Sequence, residues 1–429
     1  MTATPELIAL LEAVARIPAA HASSFDTPPF VALREWAQRT YPGAGTKDGL
    51  NFALSAALDR LGLARGRPNG AVAFRTIADA AARLSAGFLA RSAWRTHLCP
   101  LDVADEVPAL TFGPNSVRSL SLDDLRTHFA PLGPQAAGLD SRFAQFSWLI
   151  VREKVAFEHE PGRRALPFLF HDLNRDFGEI EPHARKFPVA VEQALFALLL
   201  VPWEDLVGHA DLNWRPFQTP WVYTVDDDIF VRPPSLPSAD SLSWAPDAYT
   251  DHDGETIEYE RPLTHWGQDT IEGLETWVND GRWREVETAL ASDLFSTPVA
   301  HFLVAAFLGE GIDEFIAHLT SLEAALGLRV DRAREQTMGA RVQALLGDAD
   351  GAAAYGRIFN LRSEYVHGRP MTGISGANRN DARRLARRVA DSLVSRAQAP
   401  IADRVGFLQA LAPSRPPKSQ PKREEAPGT

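Results

Sequence analysis

The sequence predicts an α+β protein that is predominantly α, and three observations predict it. Apolar residues step at three and four through roughly the first hundred residues and again through the last third, with glycine at the expected helix stops. Between about 101 and 290, short β-branched and aromatic runs alternate with turn residues, the mark of a mixed α and β region. At 429 residues, 45% hydrophobic and 23% charged, the chain has a globular make-up and enough length for two or three cores.

Taken in order, residues 5–17 form an amphipathic pattern, and further helical patterns lie around 30–40, 50–63 and 75–92, giving a helical region over 1–100. The stretch from Val107 to Leu120 has two apolar pieces about a Gly113-Pro-Asn turn and predicts a hairpin. Ser121 followed by Asp124 predicts a capping-box-like helix start. Phe146–Arg152 reads as a strand, and residues 187–202 as buried core. Trp221–Val225 and Thr256–Glu260 are strand-like, which completes a mixed region over 101–290.

From 295 to 397 the punctuation is cleaner. Val299–Leu308 ends at Gly309, the stripe Ile312, Phe315, Ile316, Leu319, Leu322 and Leu326 closes at Gly327, and Met338 to Leu346 stops at Gly347. A fourth helix carries Ile358, Phe359 and Val366, and a fifth carries Ala382, Leu385, Ala386, Val389 and Leu393. Short connections between such helices favour an antiparallel bundle. The Pro-, Lys- and Glu-rich composition of 400–429 predicts a disordered tail.

Composition also bounds function. No apolar run is long enough to cross a bilayer, and Met1 to Ile8 lacks a basic region leading into an apolar stretch, so neither membrane nor secretion is expected. Cys99 is the only cysteine, which excludes an internal disulfide and a cysteine-based zinc cluster and makes a reducing cytoplasm the simplest location. A net charge of −11 argues against indiscriminate coating of nucleic acid. The charge is uneven, however. Ten acidic residues face one basic residue, Arg232, between Val225 and Glu260, whereas ten arginines face four acidic residues between Gly356 and Arg404.

The segment with the most chemical content is Arg362-Ser363-Glu364-Tyr365-Val366-His367-Gly368. An arginine and a histidine with four to six residues between them also occur at Arg91/His97 and Arg164/His171, so spacing alone decides nothing. Context is more informative. Arg362 follows Phe359 by three and Ile358 by four, which places it on or beside the apolar stripe, where a guanidinium needs a partner. His367 stands directly before a Gly-Arg-Pro stop. Five helical steps amount to about 500°, so the two side chains are offset by about 140° and do not converge within one helix. Two copies packed about a two-fold axis could bring both pairs into one cleft.

The string Phe359-Asn-Leu-Arg-Ser-Glu-Tyr-Val-His-Gly resembles the signature of ApeA-like HEPN domains, an R-x-x-x-x-H motif that follows a hydrophobic stretch and runs into glycine. The segments from Phe315 through Leu326 and from Gly339 to Leu346 resemble the helices before it, so the likeness covers the last quarter of the chain. The resemblance implies a helical bundle acting as a dimeric, metal-independent ribonuclease, often a toxin or anti-phage effector. It makes Arg362 and His367 the catalytic pair, with Ser363 in support, and requires no cofactor or metal. RNA supplies its own nucleophile, so a proton-transfer group and a fixed cation suffice. Arg379, Arg383, Arg384, Arg387 and Arg388, partly spaced at four, would add a basic surface for an RNA backbone. The mixed region would then sense an unknown trigger. HEPN members without nuclease activity supply the competing reading, a non-catalytic interaction, scaffold or nucleotide-binding module.

Other motifs favour plainer roles. Asp251-His-Asp-Gly-Glu suggests a calcium loop but fits a hairpin tip better, and Asp226-Asp-Asp228 is by default an acidic loop with a cation site as its alternative. The tryptophans from Trp203 to Trp283 favour core over a recognition surface. Gly373-Ile-Ser-Gly376 is not a nucleophile elbow.

Overall fold

The computed structural model describes residues 4–21, 24–41, 47–63, 76–104, 107–129, 138–160, 163–164, 166, 185–206, 213–264, 273–329, 331, 334–367, 373–400 and 403–411. The chain divides into two compact units, one of residues 1–209 with 214–283, the other of 210–213 with 284–429.

The first unit opens with four helices, α1 (Pro5–Ala15), α2 (Pro28–Thr40), α3 (Lys47–Arg60) and α4 (Ile77–Leu89). The Thr4 hydroxyl accepts the Leu7 N–H at 3.3 Å, and Thr76 accepts that of Asp79 at 3.1 Å, so local caps set two of the starts. Leu7, Leu11, Phe30, Leu33, Leu54 and Leu84 form their core, closed by Ile229 and Phe230 from much later in the chain.

Then come β1 (Ser92–Leu101), β2 (Leu110–Phe112), β3 (Asn115–Ser119), α5 (Leu122–Phe129) and β4 (Ser147–Ala156). The short pair β5 (His159–Glu160) and β6 (Arg163–Arg164) follows, then α6 (Val189–Leu199), α7 (Trp203–Leu206) and β7 (Tyr223–Asp226). Five strands make an antiparallel sheet in the order β2-β3-β4-β1-β7. The domain boundary expected at 100 therefore falls inside β1, a strand paired on both edges, and the helical region and the sheet belong to one unit.

The register puts Leu98, Trp148, Ile150, Tyr223 and Val225 on one face, where Leu125 and Phe129 of α5 and Phe143 cover them. The predicted cap of α5 is present: Ser121 N–H donates to the Asp124 carboxylate and Asp124 N–H to the Ser121 hydroxyl, both at 3.1 Å. The predicted 107–120 hairpin is present as β2–β3. Gly113 at its turn has φ +60°, and a Cβ there would run into the Trp283 indole. A second hairpin, β8 (Trp244–Thr250) with β9 (Thr256–Pro262), turns at Asp251–Gly254, as the sequence predicts. Trp148, Trp203, Trp214 and Trp283 are buried, whereas Trp94 and Trp277 are 40% exposed.

After α8 (Asp280–Leu290), the second unit holds α9 (Val299–Leu308), α10 (Gly311–Leu326), α11 (Arg334–Leu346), α12 (Ala349–Val366), α13 (Gly376–Arg396) and α14 (Arg404–Leu411). Helix α10 packs on α9 and α13, α12 packs on α11 and α13, and α14 on α11. Phe307, Phe315, Leu319, Leu322, Met338, Ile358, Val389 and Leu393 are its buried core. The expectation of disorder from residue 400 is corrected over 404–411, where α14 buries Leu408 and Arg404. Arg404 donates to the carbonyls of Ala324, Ala325 and Gly327, the otherwise open C-terminal end of α10. Residues 401–402 and 412–429 of the predicted tail lie outside the described residues. No helix among the described residues is long and apolar enough to cross a membrane.

Candidate active site

Helix α12 sets the geometry of the Arg362/His367 pair. Asp348 caps its start, accepting the N–H groups of Asp350 at 2.9 Å and Gly351 at 3.4 Å. Its buried stripe runs Gly351, Ala354, Tyr355, Ile358, and a further step of four reaches Arg362. Arg362 accordingly faces inward with 35% of its side chain exposed, and its Nη1 lies 4.0 Å from Oε1 of Glu323 on α10. That distance is the outer limit of an ion pair. At that separation, with Arg362 in part open to water, the pair is worth about 0–1 kcal/mol, so the guanidinium is only loosely held.

Glu323 is shared. Arg334 approaches its other oxygen at 3.6 Å, and the buried Tyr355 hydroxyl has no hydrogen-bond partner among the described residues. Burial first, and the nearby Glu323 charge second, push the Tyr355 phenol well above its ordinary pKa, so it stays protonated. Glu323 and Tyr355 are the residues that sequence reading missed. Their only signal is that Tyr355 sits two turns before Arg362 on the same face.

His367 caps the C-terminal end of α12 with φ −91° and ψ 11°, and its N–H bonds back to the Ser363 carbonyl at 3.1 Å. Its ring is exposed, and among the described residues none hydrogen-bonds or ion-pairs with it. Tyr365 and Val366 beside it are 47% and 53% exposed. Ser363 is half-buried and enters the motif through its backbone carbonyl alone among the described contacts. Within one chain, Arg362 turns toward α10 and His367 toward solvent, in keeping with the offset that helical geometry requires. Residues 368–372 lie outside the described residues, and Ser375 caps α13 by accepting the Asn378 N–H at 3.2 Å.

The expected arginine surface on α13 is corrected. Arg383 is 2% exposed and Arg387 9% exposed, because α13 lays this face on the bundle core. Arg383 Nε donates to Glu314 Oε1 at 2.6 Å, and Arg379 Nη2 to Glu314 Oε2 at 3.1 Å. Glu314 itself is 1% exposed, and the buried His318 Nε2 stands 3.9 Å from it. Arg388 pairs with Asp348 at 2.8 Å and so braces the cap of α12. Only Arg384 of the five is exposed. Arg379 and Arg383 thus tie α13 to α10 and Arg388 braces α12, and the five do not form a continuous phosphate track.

A second buried pair locks the bundle. Arg341 donates to both oxygens of Asp331 at 2.6 and 2.9 Å, and to the carbonyls of Leu326 and Leu408 at 2.7 and 3.0 Å. Burial opposes ionisation of Asp331, but the hydrogen bonds from Arg341 and from the Leu328 N–H outweigh it and hold the carboxyl below its usual range. A depressed carboxyl stabilises the fold above its unfolded pKa, about 3.9, and loses that contribution as pH falls through the lower folded value. Acid titration of unfolding should therefore show Asp331→Asn less stable than wild type at neutral pH, with the gap closing below about pH 4. A pH-independent gap would contradict this assignment.

Two further acidic groups are accounted for. The Asp226–Asp228 stretch, by default an acidic loop, is partly buried, and two of its carboxylates are paired: Arg95 with Asp226 at 2.7 Å, and the buried Arg164 with Asp228. At the β8–β9 tip Asp251 Oδ1 accepts the N–H groups of Asp253 and Glu255, both at 2.9 Å, so one carboxylate oxygen serves the turn. His97 is committed within the sheet, bonded to Thr224 at 2.9 Å and Glu153 at 3.1 Å, and its burial lowers its pKa. No protein-family model, no curated protein and no solved structure matches this chain.

Proposed function

We propose that this protein is a metal-independent endoribonuclease of the HEPN type, acting as a homodimer, with Arg362 and His367 as its catalytic pair. The observation that carries the reading is the exposed His367 ring at the end of α12, without a partner among the described residues, five residues after a weakly paired Arg362 on the same helix. In this chemistry the RNA 2′-hydroxyl attacks the adjacent phosphorus and the bond to the 5′-oxygen breaks, leaving a 2′,3′-cyclic phosphate and a 5′-hydroxyl. A histidine can take the 2′ proton or return one to the leaving oxygen. An arginine forks onto the phosphate as charge builds on it. Metal is not required, because the substrate brings the nucleophile and Arg362 the charge. The offset within one helix makes a second copy part of the site, and the exposed Tyr365 and Val366 are suited to meeting it. A toxin or anti-phage role follows from the HEPN resemblance.

A non-catalytic interaction module is the second reading, favoured by the Arg362–Glu323 ion pair. Expression in a bacterial host separates the two. The nuclease reading expects growth arrest with degraded cellular RNA for the wild type and normal growth for His367→Ala. Equal growth and intact RNA in both would favour the interaction module.

A further inference from the structure

We propose that a cleft at one end of the five-stranded sheet binds a small organic anion with an apolar body. This inference concerns the N-terminal unit alone and does not depend on the nuclease reading. The cleft has a volume of about 490 Å³, within the range of small-molecule sites. The register defines its floor, since Leu101 pairs with Ser147 and Ser147 with Ser119, so three neighbouring strands end there together. The Ser119 and Ser147 hydroxyls lie 3.2 Å apart, and the Gln145 amide adds a further polar group. Arg261, at the end of β9, is the only ionisable side chain among the described lining residues. Asp247 Oδ2 lies 2.9 Å from its Nε and so orients the guanidinium, whose two Nη groups stand outside that ion pair.

Val103 marks the cleft as a built site. It lies in the wall with φ +57°, the only non-glycine positive φ among the described residues. For a β-branched residue this conformation is strained and persists only when its surroundings enforce it. The enforcing contacts are adjacent. Asp102 is 4% exposed, exchanges two backbone bonds with Gln218 at 2.8 Å, and its carboxylate takes the Ser243 N–H at 3.0 Å and hydroxyl at 2.9 Å. The strand end is stapled on both sides, and Val103 is turned into the cleft wall near Phe146 and Pro262. One cation, two paired hydroxyls and an amide beside an apolar wall suit a carboxylate or phosphate monoester carried on a ring or short chain.

Titration calorimetry on the full chain with benzoate, phenyl phosphate and benzyl alcohol tests this. Saturable binding of at least one anion is expected, about tenfold or more tighter than the neutral alcohol, and the preferred anion distinguishes a carboxylate from a phosphate ligand. Arg261→Gln should abolish the preference for the anion without changing the melting temperature, because Arg261 is exposed. Val103→Gly should fold and bind more weakly, because it relieves the strain and removes the wall. No saturable binding of either anion at millimolar concentration, equal binding of the alcohol, or unchanged binding by Arg261→Gln would overturn the proposal.

Discussion

Glu314→Ala should destabilise the C-terminal unit by about 3–5 kcal/mol, the loss typical when one partner of a buried charge pair is removed. The carboxylate is 1% exposed and receives both Arg379 and Arg383, so its removal strands guanidinium charge inside the bundle. Denaturant unfolding followed by circular dichroism checks this. Glu314→Leu combined with Arg383→Met should recover part of the loss, because it removes opposite charges together and leaves apolar surface. Arg383→Ala should likewise act on stability, whereas a residue on an RNA-facing surface would change binding and leave the fold intact. A cost below 1 kcal/mol for Glu314→Ala would mean that the network does not hold α10 to α13.

Elements governed by local chemistry were legible. The Ser121/Asp124 cap, the Gly113 hairpin and the helix stops at Gly309, Gly327 and Gly347 depend on neighbours in sequence, and each is present. Long-range pairing was not legible. Nothing near Ser92 shows that its strand will lie between β4 and β7, which places the boundary expected at residue 100 inside the sheet. The arginines of α13 look alike by sequence. Which of them are buried depends on Glu314, 65 to 69 residues away, and on Asp348. Residues 404–411 have the polar flanks of a tail, but Leu408 and the carbonyl-seeking Arg404 tie them to the bundle.

The same limit applies to the candidate site. The apolar stripe implied that Arg362 needs a partner, and that partner is Glu323 of α10. The helix stop correctly implied an exposed His367. What neither could supply is the second copy that the offset between them calls for.

Loss of the imidazole should therefore have the largest effect on activity. His367→Ala is expected to slow RNA cleavage by about 10²–10⁴-fold, the usual contribution of a positioned proton-transfer group. Arg362→Ala should lose about 10²–10³-fold, as for removal of one charge-stabilising donor. Neither should alter the fold, since one side chain is exposed and the other is weakly paired. The decisive measurement is the cleavage rate of a single-stranded RNA by purified wild type, Arg362→Ala and His367→Ala in EDTA. The proposal predicts cleavage by the wild type to 2′,3′-cyclic phosphate ends and near-complete loss in both variants. Absence of cleavage by the wild type, or undiminished cleavage by both variants, would contradict it.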